Sequence, residues 1–308
     1  MKYLFGPVPS RRLGYSLGID IVPAKTCTLN CVYCQLGPTP EVTLKRAPYL
    51  KTETLLAELS EFLKQPHRVD YLTFSGSGEP TLNSELGRMI RSAQKLTSKP
   101  VAVITNGTLL YLEEVRRDLA AADLVLPSLD AVTPEAFVRV NRPHQGLTVD
   151  LVIQGLRDFG REYRGEIWLE VMLVKGLNDS PEELEKLRET LRTLRVDRVQ
   201  LNTVVRPPAE AEVRPLSREE LESVARFLDC GAEIIVEFAR EESAGFQADR
   251  QRVLETLRRR PLSRRDLVQL TGLHEHEVVK ILEGLLAARL ITGERTGDRE
   301  YYRAEPES

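Results

Sequence analysis

The chain has 308 residues, 42% of them apolar, and a net charge of −3. That length holds one large domain with a small one, or two medium ones. A pI near 6.0 gives no global electrostatic case for nucleic acid, and no apolar run approaches the roughly 18–20 residues of a membrane helix.

Taken in order, residues 1–13 read as an irregular entry, because Gly6, Pro7 and Pro9 break any period. Tyr15–Val22 alternates and ends at Pro23, the pattern of a strand. Thr52–Leu63 carries Leu55, Leu56, Leu59 and Leu63 at helical spacing. Further strands are expected at Val69–Phe74, Val101–Ile104, Leu124–Asp130, Ile167–Val174 and Val199–Val205, with a short last one at Ile234–Phe238. Amphipathic helices are expected between them at Ser84–Leu96, Leu112–Ala121, Val149–Phe159, Pro181–Leu194 and Ser217–Leu228. Strands that alternate with helices imply a parallel sheet, and about six units are too few for a closed eight-fold barrel. The expected fold is therefore α/β, a partial (β/α)6 barrel over residues 1–240, with its chemistry at the carboxyl ends of the strands.

The last portion changes character. Asp249–Arg259, Ser263–Leu270 and Glu275–Arg289 read as helices, and Ile291–Tyr302 as a hairpin turning at Gly297-Asp298. Three helices and a hairpin resemble a winged helix, expected over residues 249–304. From Asp249 to Arg303 there are 12 Lys/Arg against 9 Asp/Glu, a small surplus that leaves nucleic-acid contact open.

Cys27, Cys31 and Cys34 are three of the four cysteines in the chain and fall within eight positions, directly after the first strand. Thiolates packed so closely suit zinc or an iron–sulfur cluster. A structural zinc wants four closed ligands, but Cys230 is remote and His67, His144, His274 and His276 are all distant in sequence. Three thiolates without a local fourth ligand fit a [4Fe–4S] cubane with one iron left open. An odd local cluster with no signal peptide before it argues against disulfides. Met1–Pro9 has no basic stretch followed by an apolar one, and Leu13–Ser16 after Arg11-Arg12 is no export segment. A cytoplasmic protein without membrane contact is expected.

Other polar residues sit where the strands end: Gly78, Glu79 and Pro80 after the second, Asn106 after the third, Ser128 and Asp130 after the fourth, Met172 on the fifth and Asn202 on the sixth. Each type is also ordinary turn and capping chemistry. Cys230 reads as a semi-buried helix-end residue, and Arg139, Arg142 and Lys175 as surface cations able to meet an anion.

C-x3-C-x2-C with Tyr33 before the last cysteine resembles the motif of the radical S-adenosylmethionine (SAM) superfamily. Gly6–Gly14, Ser75–Leu82, Ser128–Ala131 and Asn141-Arg142-Pro143 narrow the resemblance, over residues 3–240, to the branch similar to wyosine-synthase Fe–S oxidoreductases. The second cysteine set of wyosine synthases is missing, so their tRNA substrate is not carried over.

The resemblance implies a [4Fe–4S] cluster on Cys27, Cys31 and Cys34. It implies SAM contacts from Tyr33, Gly78, Glu79, Pro80, Asn106, Ser128, Asp130 and Asn202, and assigns no catalytic residue. It also implies reductive cleavage of SAM to a 5′-deoxyadenosyl radical, electrons from a donor such as flavodoxin or ferredoxin, and a substrate that is a small molecule, RNA or protein. The competing expectation is a non-enzymatic iron–sulfur or zinc regulator that binds DNA through the winged helix.

Overall fold

The computed structural model describes residues 2–10, 12–204, 208–235, 250–251, 253–254, 257, 262–271, 273–296 and 299–305. One sheet runs in chain order through β1 (Leu4–Ser10), β2 (Gly14–Ile19), β3 (Tyr71–Phe74), β4 (Val101–Thr105), β5 (Leu124–Pro127), β6 (Glu166–Leu173), β7 (Arg198–Thr203) and β8 (Glu233–Ile234). β1 pairs antiparallel with β2, and all the other pairings in this sheet are parallel. The crossovers carry α1 (Thr52–Leu63), α2 (Leu86–Gln94), α3 (Glu113–Leu119), α4 (Pro134–Asn141), α5 (Val149–Glu162), α6 (Pro181–Leu191) and α7 (Arg218–Leu228). This is the expected open (β/α)6 barrel, lengthened by one antiparallel strand at one edge and a two-residue strand at the other.

Alternation along the strands sorts the core into two layers. Val101, Val103 and Val125 join the main cluster beneath the helices, with Leu55, Leu59 and Ile90. Ala102, Leu124, Leu126 and Trp168 point the other way and form a separate cluster with Leu13, which plugs the barrel floor. Both faces of these strands are therefore apolar, as a parallel sheet requires. Full burial of a leucine such as Leu55 or Leu59 contributes roughly 1.5–3 kcal/mol.

Within the barrel, two elements differ from expectation. Residues 4–10 form β1 where an irregular entry is expected. A proline lacks the N–H that a ladder uses, but an edge strand needs donors on one side only, and the register shifts between Phe5 and Val8. α4 is also absent from the sequence reading. Its start is encoded by Thr133, whose hydroxyl accepts from Ala136 N, and by Pro134 in the first turn.

In the C-terminal portion, β9 (Leu262–Ser263), α8 (Arg264–Thr271), α9 (Glu275–Ala287), β10 (Ile291–Thr296) and β11 (Arg299–Ala304) surround their own apolar cluster of Leu267, Val278, Ile281, Leu285 and Tyr302. The sheet order is β10-β11-β9; β9 is a strand that the sequence reading did not anticipate. Much of the expected helix 249–259, Gly272, the Gly297-Asp298 turn, Val205–Pro207 and residues 236–238 lie outside the described residues. α9 meets β1 directly: Gly6 N donates to Glu277 Oε1 at 3.0 Å, and the Phe5 ring lies 4.8 Å from His274 and 5.1 Å from His276. Among the described residues no helix is long and apolar enough to cross a membrane.

Phe5 also closes over Gly18, its partner across the β1–β2 ladder. A Cβ at Gly18 would fall 2.0 Å from the Phe5 ring. Gly18→Ala is expected to cost about 2 kcal/mol of stability through overpacking, measured by urea unfolding against the parent chain.

Candidate cluster and cofactor site

The cysteines occupy a loop between β2 and α1 that forms no helix of its own, so its backbone must be satisfied by neighbours. One side is stitched to the loop after β3. Lys25 N donates to Ser77 O at 2.7 Å, and Glu79 N donates to Thr26 O at 2.9 Å. A Cβ at Gly78 would sit 2.2 Å from the Thr26 carbonyl oxygen, so only glycine permits this closure. The other side rests on the end of α4. Asn30 N donates to Asn141 O at 3.0 Å, Val32 N to Val140 O at 2.9 Å and His144 N to Thr28 O at 3.0 Å.

Each thiol meets a side-chain nitrogen donor, one from the loop itself, one from the end of β4 and one from the end of α4. Lys25 Nζ lies 3.1 Å from Cys34 Sγ, Asn106 Nδ2 3.5 Å from Cys27 Sγ and Asn141 Nδ2 3.4 Å from Cys31 Sγ. Burial pushes the Cys27 thiol up to about 11, with Glu79 adding to the effect. Cys31 is driven still higher by burial and then by Asp130. Protons therefore stay on these sulfurs until metal displaces them.

Three thiols from one loop, near enough to act on one another and each with a side-chain N–H partner, fit a [4Fe–4S] cluster, in which each thiolate would hold a different iron.

Glu79 is 2% exposed. Its Oε1 accepts from Thr81 N at 3.0 Å, Thr81 Oγ1 at 2.6 Å and Thr105 Oγ1 at 2.6 Å, and its Oε2 accepts from Asn106 N at 2.7 Å. Burial raises its carboxyl, and these four donors pull it back. The side chain thus ties β3's loop to β4's and holds Asn106 over Cys27. Pro80 opens the short 3-10 turn Pro80–Leu82 that Glu79 caps.

A second constellation centres on Asp130, 7% exposed. Its Oδ2 accepts from the Tyr33 hydroxyl and from Asn141 Nδ2, the latter at 2.7 Å, and its Oδ1 accepts from Met172 N at 3.1 Å. Burial pushes its carboxyl up to about 6 against these donors. Asn106, Ser128, Asp130 and Asn141 line one narrow crevice. Its apolar lining is Leu29, Leu129, Ala131, Phe137 and Val152, while Val32, Val140, Val174 and Val213 form a separate apolar cluster with Tyr33 and Met172, both of which donate to Asp130.

Asn202 lies apart, donating to Glu170 Oε1 at 3.0 Å, while Arg12 pairs with Glu170 Oε2. It is linked to the others through Ser128, whose backbone bridges to Glu170, and through its ladder partner Met172, whose N donates to Asp130. Cys230 is exposed, which corrects the semi-buried expectation. It follows the end of α7 and has no part in the site. Arg139 is exposed, Arg142 pairs with Glu210 at 2.5 Å and Lys175 with Glu220 at 2.7 Å. A cleft of about 600 Å³ between α5 and α6, lined by Thr148, Gln154, Arg157 and Lys186, contains none of these residues.

Lys25, Thr105 and Asn141 are site residues that sequence reasoning passed over. Only Asn141 had a usable signal, the Thr133-Pro134 start of the helix that ends on it.

The family model of the radical SAM superfamily matches residues 21–194. A protein of Brachyspira hyodysenteriae named GTPase Obg is 42% identical over 246 residues, which is 79% of this chain but 36% of that protein. The UPF0026 protein of Helicobacter pylori strain J99 is 33% identical over 311 residues, spanning 98% of this chain and 97% of its own. The solved structure of TYW1 with a lysine-pyruvate adduct bound shares the fold, with a TM-score of 0.54, 18% identity and coverage of 77% of this chain and 80% of that one. The chain belongs to the radical SAM superfamily and is an enzyme of that class, using a [4Fe–4S] cluster and SAM. The competing expectation, a DNA-binding regulator, is not favoured.

Asp130 carries a pH signature. An acid raised from 3.8 to about 6 takes up a proton on folding, so stability falls as pH rises through that window. Asn at this position does not titrate. Relative to the parent, Asp130→Asn in the metal-free chain is expected to gain about 1 kcal/mol between pH 5 and pH 7.5, read from urea unfolding at the two values.

Proposed function

We propose that Cys27, Cys31 and Cys34 each ligate one iron of the cluster, and that the strand-end residues around them receive SAM and substrate. The observation that carries this is the separate nitrogen donor at each sulfur, since N–H···S contacts stabilise and tune cluster thiolates. Cys27, Cys31 and Cys34 would hold the cluster, and the cluster and SAM, when bound, would supply one-electron reductive cleavage of the sulfonium for hydrogen abstraction from the substrate.

The protein's tasks are then positional. Gly78, Glu79 and Pro80 present backbone to the SAM amino group, while the Glu79 carboxylate, spent on Thr81, Thr105 and Asn106, fixes that loop. Asn106, Ser128 and Asp130 supply polar contacts in the crevice, and Asn202 supplies one deeper in the lumen. Tyr33 is oriented by Asp130. The valine cluster with Met172 keeps water from the reacting centre.

We also read residues 1–240 as the radical SAM barrel and residues 249–304 as a winged-helix-like module, supported by their two separate apolar cores. α9, the later helix of the helix-turn-helix pair, would be the reader of a DNA groove, yet its N-cap His274 and first-turn Glu277 are buried. That favours service to the barrel over nucleic-acid contact. Electrons come from a small donor such as flavodoxin or ferredoxin, in the reducing cytoplasm where unpaired thiols persist.

Anaerobic reconstitution with iron and sulfide, followed by SAM and dithionite, is expected to give a brown protein that forms 5′-deoxyadenosine. The Cys27→Ala, Cys31→Ala, Cys34→Ala triple variant is expected to stay colourless and make only background amounts. A parent chain that takes zinc alone, or that holds a cluster yet never binds SAM, overturns the assignment.

A further inference from the structure

Asp20 has no role in the site described so far, yet it stands between three parts of the molecule. It follows the last residue of β2 and is 6% exposed. Its Oδ2 accepts from Ser77 N at 3.0 Å and Ser77 Oγ at 2.6 Å, in the loop that continues into Gly78 and Glu79. A Cβ at Gly76, whose φ is +149°, would fall 2.4 Å from the Asp20 carboxyl carbon, so the loop is moulded onto this side chain. On its far side His274 Nε2 lies 3.3 Å from the same Oδ2, with both side chains buried. The remaining oxygen, Oδ1, is buried and unpartnered. Such a carboxylate costs stability wherever packing alone is the purpose.

The other nitrogen of the ring holds α9: His274 Nδ1 accepts from His276 N at 3.1 Å, so the imidazole is fixed between the start of α9 and the Asp20 carboxylate. The C-terminal module is fastened around this point by Glu277, which accepts from Gly6 N at 3.0 Å and from His274 N at 3.0 Å. The Phe5 ring lies tilted against both histidines.

We propose that Asp20 and His274 are positioning residues for SAM, through which the docked C-terminal module holds the Ser77–Glu79 loop in its binding shape. The inference rests on the radical SAM assignment above only for the identity of the ligand; the mechanical coupling stands in the metal-free chain. Removing the His274 contact leaves Asp20 with Ser77 alone, and the loop loses the constraint that arrives from α9. The module then acts as an internal strap whose release weakens the cofactor site without touching the cysteines.

His274→Asn tests this, because asparagine retains a side-chain oxygen to cap α9 but cannot reach Asp20 as the imidazole does. In the metal-free chain, amide hydrogen exchange of a peptide covering residues 75–82 is expected to accelerate about tenfold, with α5 unchanged. In the reconstituted protein KM for SAM is expected to rise five- to tenfold, while kcat for 5′-deoxyadenosine changes less than twofold. Asp20→Asn, which alters no residue of the module, is expected to accelerate exchange at the same peptide. Parent-like exchange and parent-like KM in a folded His274→Asn chain would overturn the coupling, as would a uniform rise in exchange across the barrel. If the parent chain makes no 5′-deoxyadenosine, the radical assignment fails, and the exchange result still decides the strap.

Discussion

A loop with no secondary structure of its own can lie over the end of a barrel only if other segments take up its peptide groups. Here the segments are Ser77–Glu79 on one side and Val140–His144 on the other. The first reaches the loop because neighbouring parallel strands place the ends of β2 and β3 side by side; the second does so at the end of α4, within the crossover from β5 to β6. The closeness of the Thr26 carbonyl to Gly78 makes this joint intolerant of any side chain. Cysteine geometry, the inward turn of Glu79 and the reach of Asn141 all depend on it.

The same rim concentrates negative charge. Glu79 and Asp130 are buried close enough to the cysteines to hinder thiolate formation. The fold answers with oriented amides and one ammonium: Asn106, Asn141 and Lys25 all face sulfur. Asn141 divides its amide between Cys31 and Asp130, so the end of α4 links the cluster loop to the pocket behind it. Buried charges in such a network are tolerated only when their lone pairs are filled, and Glu79 and Asp130 meet that condition.

Much of the architecture is legible in the sequence because parallel strands must be apolar on both faces and their crossover helices amphipathic. Thr52–Leu63 is read to the residue. β1 is hidden because Pro7 and Pro9 look like breakers, and only its place at the sheet edge makes them harmless. α4 is hidden because eight residues give too little periodicity to outweigh the turn signals around Asn141-Arg142-Pro143. The cysteines declare themselves by spacing. Lys25 and Asp20 do not, since each matters through a partner far along the chain or on a neighbouring loop, and no local pattern encodes that; Asn141 shows only in the start of the helix that ends on it.

The floor formed by Leu13, Leu124, Leu126 and Trp168 gives the barrel a dead end. With side chains filling the lumen there, nothing passes through the barrel, and whatever meets the cysteines must come over the rim of strand ends or through the gap between the two edges of the sheet.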